Sequence, residues 1–170
     1  MKAENIPFVN RTFKKAVPSK IIYGDLIQLA KQNYFDAIIH GCNCFNNMEK
    51  GIAKQIKDEF PEAYEADNKT KKGDKNKLGN YTFAKIPRYN NLIIINAYTQ
   101  YYYGGPNDQI QVDYSAVRHI FELLNFDCGG LKFAYPRIGA GLAKGDWHVI
   151  SNIINEEFYN QDHTLVEWRK

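Results

Sequence analysis

The sequence predicts an α/β fold, a three-layer α/β/α sandwich with a mixed central sheet. Three observations carry that expectation. Strand-like and helix-like segments largely alternate from Ile21 onward. Ala37-Ile38-Ile39 and Leu92-Ile93-Ile94-Ile95 are continuously apolar, as strands covered on both faces are. Two strands run into loops of small and polar residues that open helices, one after Ile39 and one after Tyr135.

In chain order, residues 1–19 carry Phe8, Val9, Phe13 and Val17 among polar residues, with Pro7 and Pro18 as breakers. They read as an N-terminal extended segment added to a sheet edge, ahead of a single domain over residues 20–170. Lys20-Ile21-Ile22-Tyr23 is a strand, and Gly24-Asp25 turns it into a helix over 26–32. Asp25 has two readings: it caps that helix, or it receives the exocyclic amine of a ligand. The next strand is expected to stop at Ile39, because His40-Gly41-Cys42-Asn43-Cys44 cannot pack like Val or Leu. Gly51 lets the backbone approach a ligand without a Cβ in the way. Beyond it Ile52, Ile56 and Phe60 recur at helical spacing among Lys54, Lys57, Asp58 and Glu59. A strand, a glycine-containing loop and a helix N-terminus together suit a phosphate or pyrophosphate, through free N–H groups and the helix dipole.

Pro61-Glu62-Ala63-Tyr64-Glu65-Ala66-Asp67 reads as a short helix with proline in its first turn. The one basic run follows: Lys69, Lys71, Lys72, Lys75 and Lys77. It reads as a solvated loop, with contact to a polyanion as the sharper alternative. Tyr81-Thr82-Phe83-Ala84-Lys85-Ile86 alternates, and a turn over 87–91 leads into the Leu92 strand. Asn96-Ala97-Tyr98-Thr99-Gln100-Tyr101-Tyr102-Tyr103-Gly104-Gly105-Pro106 then reads as a covering loop at a strand's carboxyl end, where ligands of open α/β sheets sit. The plainer reading is that at least two of the tyrosine rings merely seal this loop while their hydroxyls stay in water. A helix capped by Asp113 carries Val117, Ile120, Phe121 and Leu124 on one face. Leu131-Lys132-Phe133-Ala134-Tyr135 is a strand, followed by the second small-residue loop, a helix over 146–158, and a closing strand at Thr164-Leu165-Val166-Glu167-Trp168. Neither loop matches a dinucleotide fingerprint or a Walker A sequence.

With 170 residues, 44% hydrophobic and 24% charged, the chain has the size and composition of one globular domain. A net charge of +3 is too small to imply nucleic-acid binding by itself. Three cysteines make no disulfide framework, no N-terminal stretch resembles a signal peptide, and no apolar run approaches membrane-spanning length. The expected setting is reduced and cytoplasmic. His40, Cys42 and Cys44 alternate and suggest zinc, but such sites draw four ligands from two clusters and Cys128 is the only other cysteine. No metal is expected.

Gly24-Asp25-Leu26, then Asn43 eight residues before Gly51-Ile52-Ala53, then Pro136-Arg137-Ile138-Gly139-Ala140-Gly141-Leu142 resemble the three sequence landmarks of the macrodomain family. The resemblance spans nearly all of the chain after the N-terminal segment and implies a pocket for ADP-ribose with no cofactor. It implies that Asp25 and the Leu26 amide bind adenine. Met48, Lys50, Gly51 and Ile52 would run along the pyrophosphate and distal ribose, and Gly139, Ala140, Gly141 and Leu142 would hold the phosphates from the other side. Asn43 would face the distal ribose, and Tyr98 and Gln100 are also expected in contact with substrate.

His40 to Cys44, Asn96 to Gln100, and the Gly139 loop followed by Asp146-Trp147 resemble the branch containing ADP-ribose 1″-phosphate phosphatases. That branch is close to terminal ADP-ribose and DNA ADP-ribose glycohydrolases, which use a lysine where this chain has Gln100. The protein-directed enzyme has an aspartate where this chain has Ala143. The expected reaction is metal-independent hydrolysis of a phosphomonoester on the distal ribose, with the oxygens stabilised by the Gly51-Ile52 amides and by Lys50 or Arg137. Asn43 is the candidate for orienting substrate or water, and His40 for proton transfer. The alternative for His40 is a hydrogen-bonded structural role, the role also read for His119, His148 and His163. Two rival functions remain: hydrolysis of an ADP-ribosylated macromolecule or of an acyl ester of ADP-ribose, and recognition of ADP-ribose without turnover. An ADP-ribosylated protein or nucleic acid would then be the partner, contacted by residues 69–77.

Overall fold

The two apolar runs lie side by side near the middle of a six-stranded sheet. The computed structural model describes residues 16–105 and 109–169. Its elements are β1 (Lys20–Tyr23), α1 (Leu26–Lys31), β2 (Ala37–Asn43), α2 (Gly51–Glu59), α3 (Pro61–Asn68), β3 (Tyr81–Ile86), β4 (Leu92–Gln100), α4 (Tyr114–Asp127), β5 (Lys132–Tyr135), α5 (Trp147–Glu157) and β6 (Asp162–Glu167). The strand order is β1-β6-β5-β2-β4-β3. Neighbours are parallel except β3 with β4, so the sheet is mixed as expected.

Alternation along the strands divides the core. Ala37, Ile39, Ile95, Phe133 and Leu165 face Val117, Ile120, Phe121 and Leu124 of α4 and Ile150 and Ile154 of α5. Ile38, Ile94, Ala134 and Val166 face Leu26, Ile27 and Ala30 of α1, Ile56 of α2 and Ala63 of α3. Two helical layers on one sheet follow directly from side chains that point alternately to opposite faces.

The central strands are longer than expected. β2 does not stop at Ile39 but continues through His40, Gly41, Cys42 and Asn43, and β4 runs on from Ile95 to Gln100. Their register holds from Ala37 opposite Ile93 to Cys42 opposite Tyr98, then shifts so that Asn43 faces Gln100. Polar residues lie inside the sheet here because they answer one another. Asn96 Nδ2 donates to the Ala63 carbonyl at 2.9 Å, and Asn96 Oδ1 lies 2.7 Å from His40 Nε2. Once paired, a polar group can be buried as safely as an apolar one.

Most of the expected N-terminal extended segment lies outside the described residues. Residues 16–19 have no regular structure, and Val17 N donates to the Asn155 carbonyl beside β6. No helix among the described residues is long and apolar enough to cross a membrane. Aspartates cap α1, α4 and α5 at Asp25, Asp113 and Asp146. Asp113 accepts from Ala116 N at 2.9 Å. Asp113→Ala is expected to lower stability by about 1 kcal/mol, read as a melting temperature lower by about 2–4 °C.

Candidate functional site

The carboxyl ends of β1, β2, β4, β5 and β6 all open on one edge of the sheet, because these five strands run parallel. Two loops flank the central pair β2 and β5: residues 44–50, leading into α2, and residues 136–146, leading into α5. They approach each other closely. A Cβ on Gly51 would stand 3.5 Å from Leu142 Cδ1. At the base, a Cβ on Gly41 would lie 2.9 Å from Thr99 Oγ1, 3.3 Å from Ile138 Cγ2 and 3.9 Å from Gly139 N. Gly41 therefore permits the second loop to settle onto β2.

The start of α2 differs from the aspartate-capped helices. Its N-cap is Lys50, which makes no side-chain capping bond, and Gly51 follows with φ +59°. Glu49 is drawn away along the helix by an ion pair with Lys57. The first-turn N–H groups and the positive helix end thus face the 139–142 loop with a lysine beside them. That arrangement suits an anion held between two backbone walls.

The Macro domain family model matches residues 39–154, which span both loops and the β4 end between them. The chain belongs to the macrodomain family. It is 37% identical over 155 residues to an uncharacterized 17.5 kDa protein in the tk-vs intergenic region of Enterobacteria phage T4, covering 88% of this chain and 96% of that one. Among solved structures, the macrodomain of Mycobacterium tuberculosis DarG superposes with a TM-score of 0.68 at 20% identity, over 87% of this chain and 97% of that chain. Thermosipho africanus DarTG in complex with ADP-ribose gives 0.66 at 14% identity, over 88% of this chain and 42% of that chain. At these identities the two structures share the fold.

In this macrodomain Lys50, Gly51, Gly141 and Leu142 are exposed at the rim, and Ile52, Gly139 and Ala140 are half-buried. Asp25 caps α1, accepting from Ile27 N at 2.9 Å and Gln28 N at 3.2 Å, while the Leu26 side chain is in the core. Gln100 is half-buried and donates from Nε2 to the Tyr102 carbonyl at 2.8 Å. Arg137 is committed to Glu167, with Nε at 2.8 Å and Nη2 at 2.6 Å, which leaves Lys50, with no acidic partner among the described residues, as the cation at the start of α2.

The structure places four of the expected site residues as follows. Met48 is buried with Cys42, Cys44 and Tyr98, so its side chain anchors the loop instead of lining it. Tyr98 is buried too: its hydroxyl donates to Asp67 Oδ1 at 2.7 Å and lies 2.9 Å from Thr82 Oγ1, so neither a substrate contact nor a wet hydroxyl fits it. Asn43 directs its amide to its own loop, with Oδ1 accepting from Phe45 N at 2.9 Å and Nδ2 donating to the Asn47 carbonyl at 2.8 Å. It shapes the 44–50 turn. His40 is fully buried, and burial lowers its pKa to about 4 against the raising effect of Asn96. Asn96 Oδ1 must accept, so the neutral ring donates from Nε2 and holds two strands together, out of reach of the rim.

The thiols turn to separate partners. Cys42 Sγ is 3.7 Å from His40 Nδ1, and Cys44 Sγ is 3.6 Å from the Gln100 carbonyl. Burial raises both, Cys44 to about 11. Among the described residues no group of three or more His, Cys, Asp or Glu could hold a metal ion.

The sequence reading missed what lies beneath the 44–50 loop. Lys77 is buried, with Nζ 3.5 Å from Asp67 Oδ1, 2.5 Å from Asn46 Oδ1 and 4.6 Å from the Tyr98 ring centroid. Asn46, at φ +56°, also donates to the Thr70 carbonyl at 3.2 Å. The solvated-loop reading therefore fails for Lys77, though Lys69, Lys71, Lys72 and Lys75 are exposed. In sequence Lys77 is indistinguishable from those four; only Asp67 at the end of α3 hints at a partner. Thr99 Oγ1, beside Gly41, is buried with no hydrogen-bond partner among the described residues.

Lys77→Ala leaves the Asp67 carboxylate buried beside a single phenol, and burial already holds that carboxyl above its usual range. Denaturant titration is expected to show a loss of about 3 kcal/mol. A second expectation concerns acid. The His40 ring titrates at about 4 when folded and at 6.5 when unfolded, so its contribution is complete above pH 6.5 and is lost as pH falls toward 4. This amounts to about 3 kcal/mol. His163, lowered in the same direction by burial, adds to the loss, while the raised Asp67 opposes it. Urea unfolding at a series of pH values should show that decline, with a shallower slope for His40→Gln.

Proposed function

We propose that this macrodomain binds ADP-ribose derivatives in the crevice over β2 and β5 and removes the phosphate from ADP-ribose 1″-phosphate. The observation that carries the reading is the pair of small-residue loops closing on the uncapped start of α2, with Leu142 over Gly51. In this reading the pyrophosphate lies between the 51–52 and 139–142 amides. Adenine lies toward Asp25, and the distal ribose toward Asn43 and Gln100. The ADP-ribose complex of the Thermosipho africanus neighbour supports the choice of ligand.

Gln100 supports phosphoester over glycosidic cleavage. A neutral amide stands where the resembling glycohydrolases carry lysine, so no amine is available there to attack C1″. Phosphoryl loss asks less of the side chains: a positioned water attacks phosphorus, the bond from phosphorus to the ribose oxygen breaks, one proton of that water ends on the departing ribose oxygen, and the developing charge is met by amides and a cation. Lys50 and the start of α2 supply both. Asn43 contributes by shaping the loop that holds the distal ribose, and the buried His40 takes no part in proton transfer.

The test is phosphate release from ADP-ribose 1″-phosphate by the purified protein without added metal, with ADP-ribose binding measured by calorimetry on the same samples. Turnover is expected in the parent and a loss of at least about tenfold in Asn43→Ala, as displaced positioning groups typically cost. Binding without release would point to a reader, or to an attached ADP-ribose as substrate. Absence of both would overturn the pocket itself.

A further inference from the structure

Next to Gln100 the rim carries a surface that the proposed reaction does not use. Phe45, from the 44–50 loop, stands edge-on to a row of tyrosines, its ring centroid 5.1 Å from Tyr101, 5.0 Å from Tyr102 and 6.2 Å from Tyr103. Tyr102 and Tyr103 stack on each other at 5.1 Å and 30° and are 48% and 36% exposed. The basic segment packs against the same phenylalanine. A Cβ on Gly73 would lie 3.2 Å from the Phe45 ring, the Gly73 carbonyl accepts from the Tyr101 hydroxyl at 3.0 Å, and Gly73 N donates to the Cys44 carbonyl at 2.7 Å. Lys75 Nζ is 5.7 Å from the Tyr101 ring centroid.

The lysine segment therefore adjoins the ring cluster, through Gly73 and Lys75. Residues 69–77 hold five lysines against Asp74, a larger positive balance than the +3 of the whole chain. Lys77 is neutralised below by Asp67, which leaves Lys69, Lys71, Lys72 and Lys75 exposed with no acidic partner among the described residues. Exposed, paired tyrosines beside a row of unanswered lysines offer flat π surfaces and cations together, the combination that a strand with unpaired bases can occupy fully. A duplex hides its base faces, and an acidic peptide would satisfy the lysines while leaving the rings unused.

We propose that this face binds single-stranded nucleic acid, with bases stacked on Tyr102 and Tyr103 and phosphates along Lys69, Lys71, Lys72 and Lys75. The inference goes beyond the proposed reaction and does not depend on which bond the pocket breaks. The two regions adjoin: the Tyr102 carbonyl accepts from Gln100 Nε2, the residue toward which the proposed reading places the distal ribose. A strand seated there would lead its end toward the crevice.

Fluorescence anisotropy with a labelled single-stranded oligonucleotide tests this, alongside calorimetry with ADP-ribose. Binding should weaken with salt along a log–log slope of about −3, as four phosphate contacts on a single strand require. Tyr102→Ala/Tyr103→Ala should lose about tenfold or more in strand affinity while keeping the parent's ADP-ribose affinity, and Lys71→Gln/Lys72→Gln should flatten the salt slope by about half. No strand binding at low salt, equal binding of a duplex of the same length, or equal binding of a polyglutamate peptide would each overturn the proposal. Because ADP-ribose binding is read separately, failure of the platform and failure of the pocket are distinguishable.

Discussion

A carboxylate withdrawn from water has to be answered, and the binding edge of this protein is organised by the way Asp67 is answered. The Tyr98 hydroxyl comes to it from β4 and the Lys77 ammonium from the segment after α3, and Lys77 in turn reaches Asn46 in the loop above. One buried charge thereby ties three pieces of chain together, alongside backbone bonds such as Gly73 N to the Cys44 carbonyl and Gly79 N to the Tyr98 carbonyl. Cys42, Cys44 and Met48 pack around Tyr98 and complete a small third core distinct from the two main ones. Such a buried pair is poor evidence of net stability, since removing it from water costs much of what the contact returns. Its effect here is geometric: it leaves the 44–50 loop one place to be.

The same logic separates what the sequence made legible from what it hid. Segments whose roles are local were readable: alternating strands, the Val117-Ile120-Phe121-Leu124 face, and the Asp113 cap each depend on neighbours within a turn or two. So were the two glycine-bearing loops, because their need for small residues is written into their own composition. The carboxyl halves of β2 and β4 were not readable as strand. His40 and Asn96 look like loop residues until each finds the other, 56 positions away. Met48 and Tyr98 were misassigned for a related reason: membership in a binding loop does not say which way a side chain points, and both point into the body. Lys77 shows the limit most plainly, one buried lysine among four wet ones of the same type.

Charge at the crevice is sorted with similar economy. Arg137 is occupied by Glu167 and Glu49 by Lys57, so the acid that could repel an anion and the arginine that could bind it are both engaged. Among the described residues Lys50 is left, at the one helix start on this edge with no carboxylate over it. Selectivity in such a site comes from backbone shape more than from side-chain charge, which matches walls built of Gly41, Gly51, Gly139 and Gly141.

The bare start of α2 also says something about the competition between durability and use. Three helices of this chain are finished with an aspartate, while α2, which faces the crevice, is left with Lys50 and a glycine at φ +59°. A serine or aspartate at that position is the ordinary way to steady a helix, and a stability screen would favour it. On the proposed reading it would also seat an oxygen where a phosphate oxygen goes. If the proposed pocket holds, position 50 is a place where the sequence best for the fold and the sequence best for the ligand diverge, and the chain carries the second.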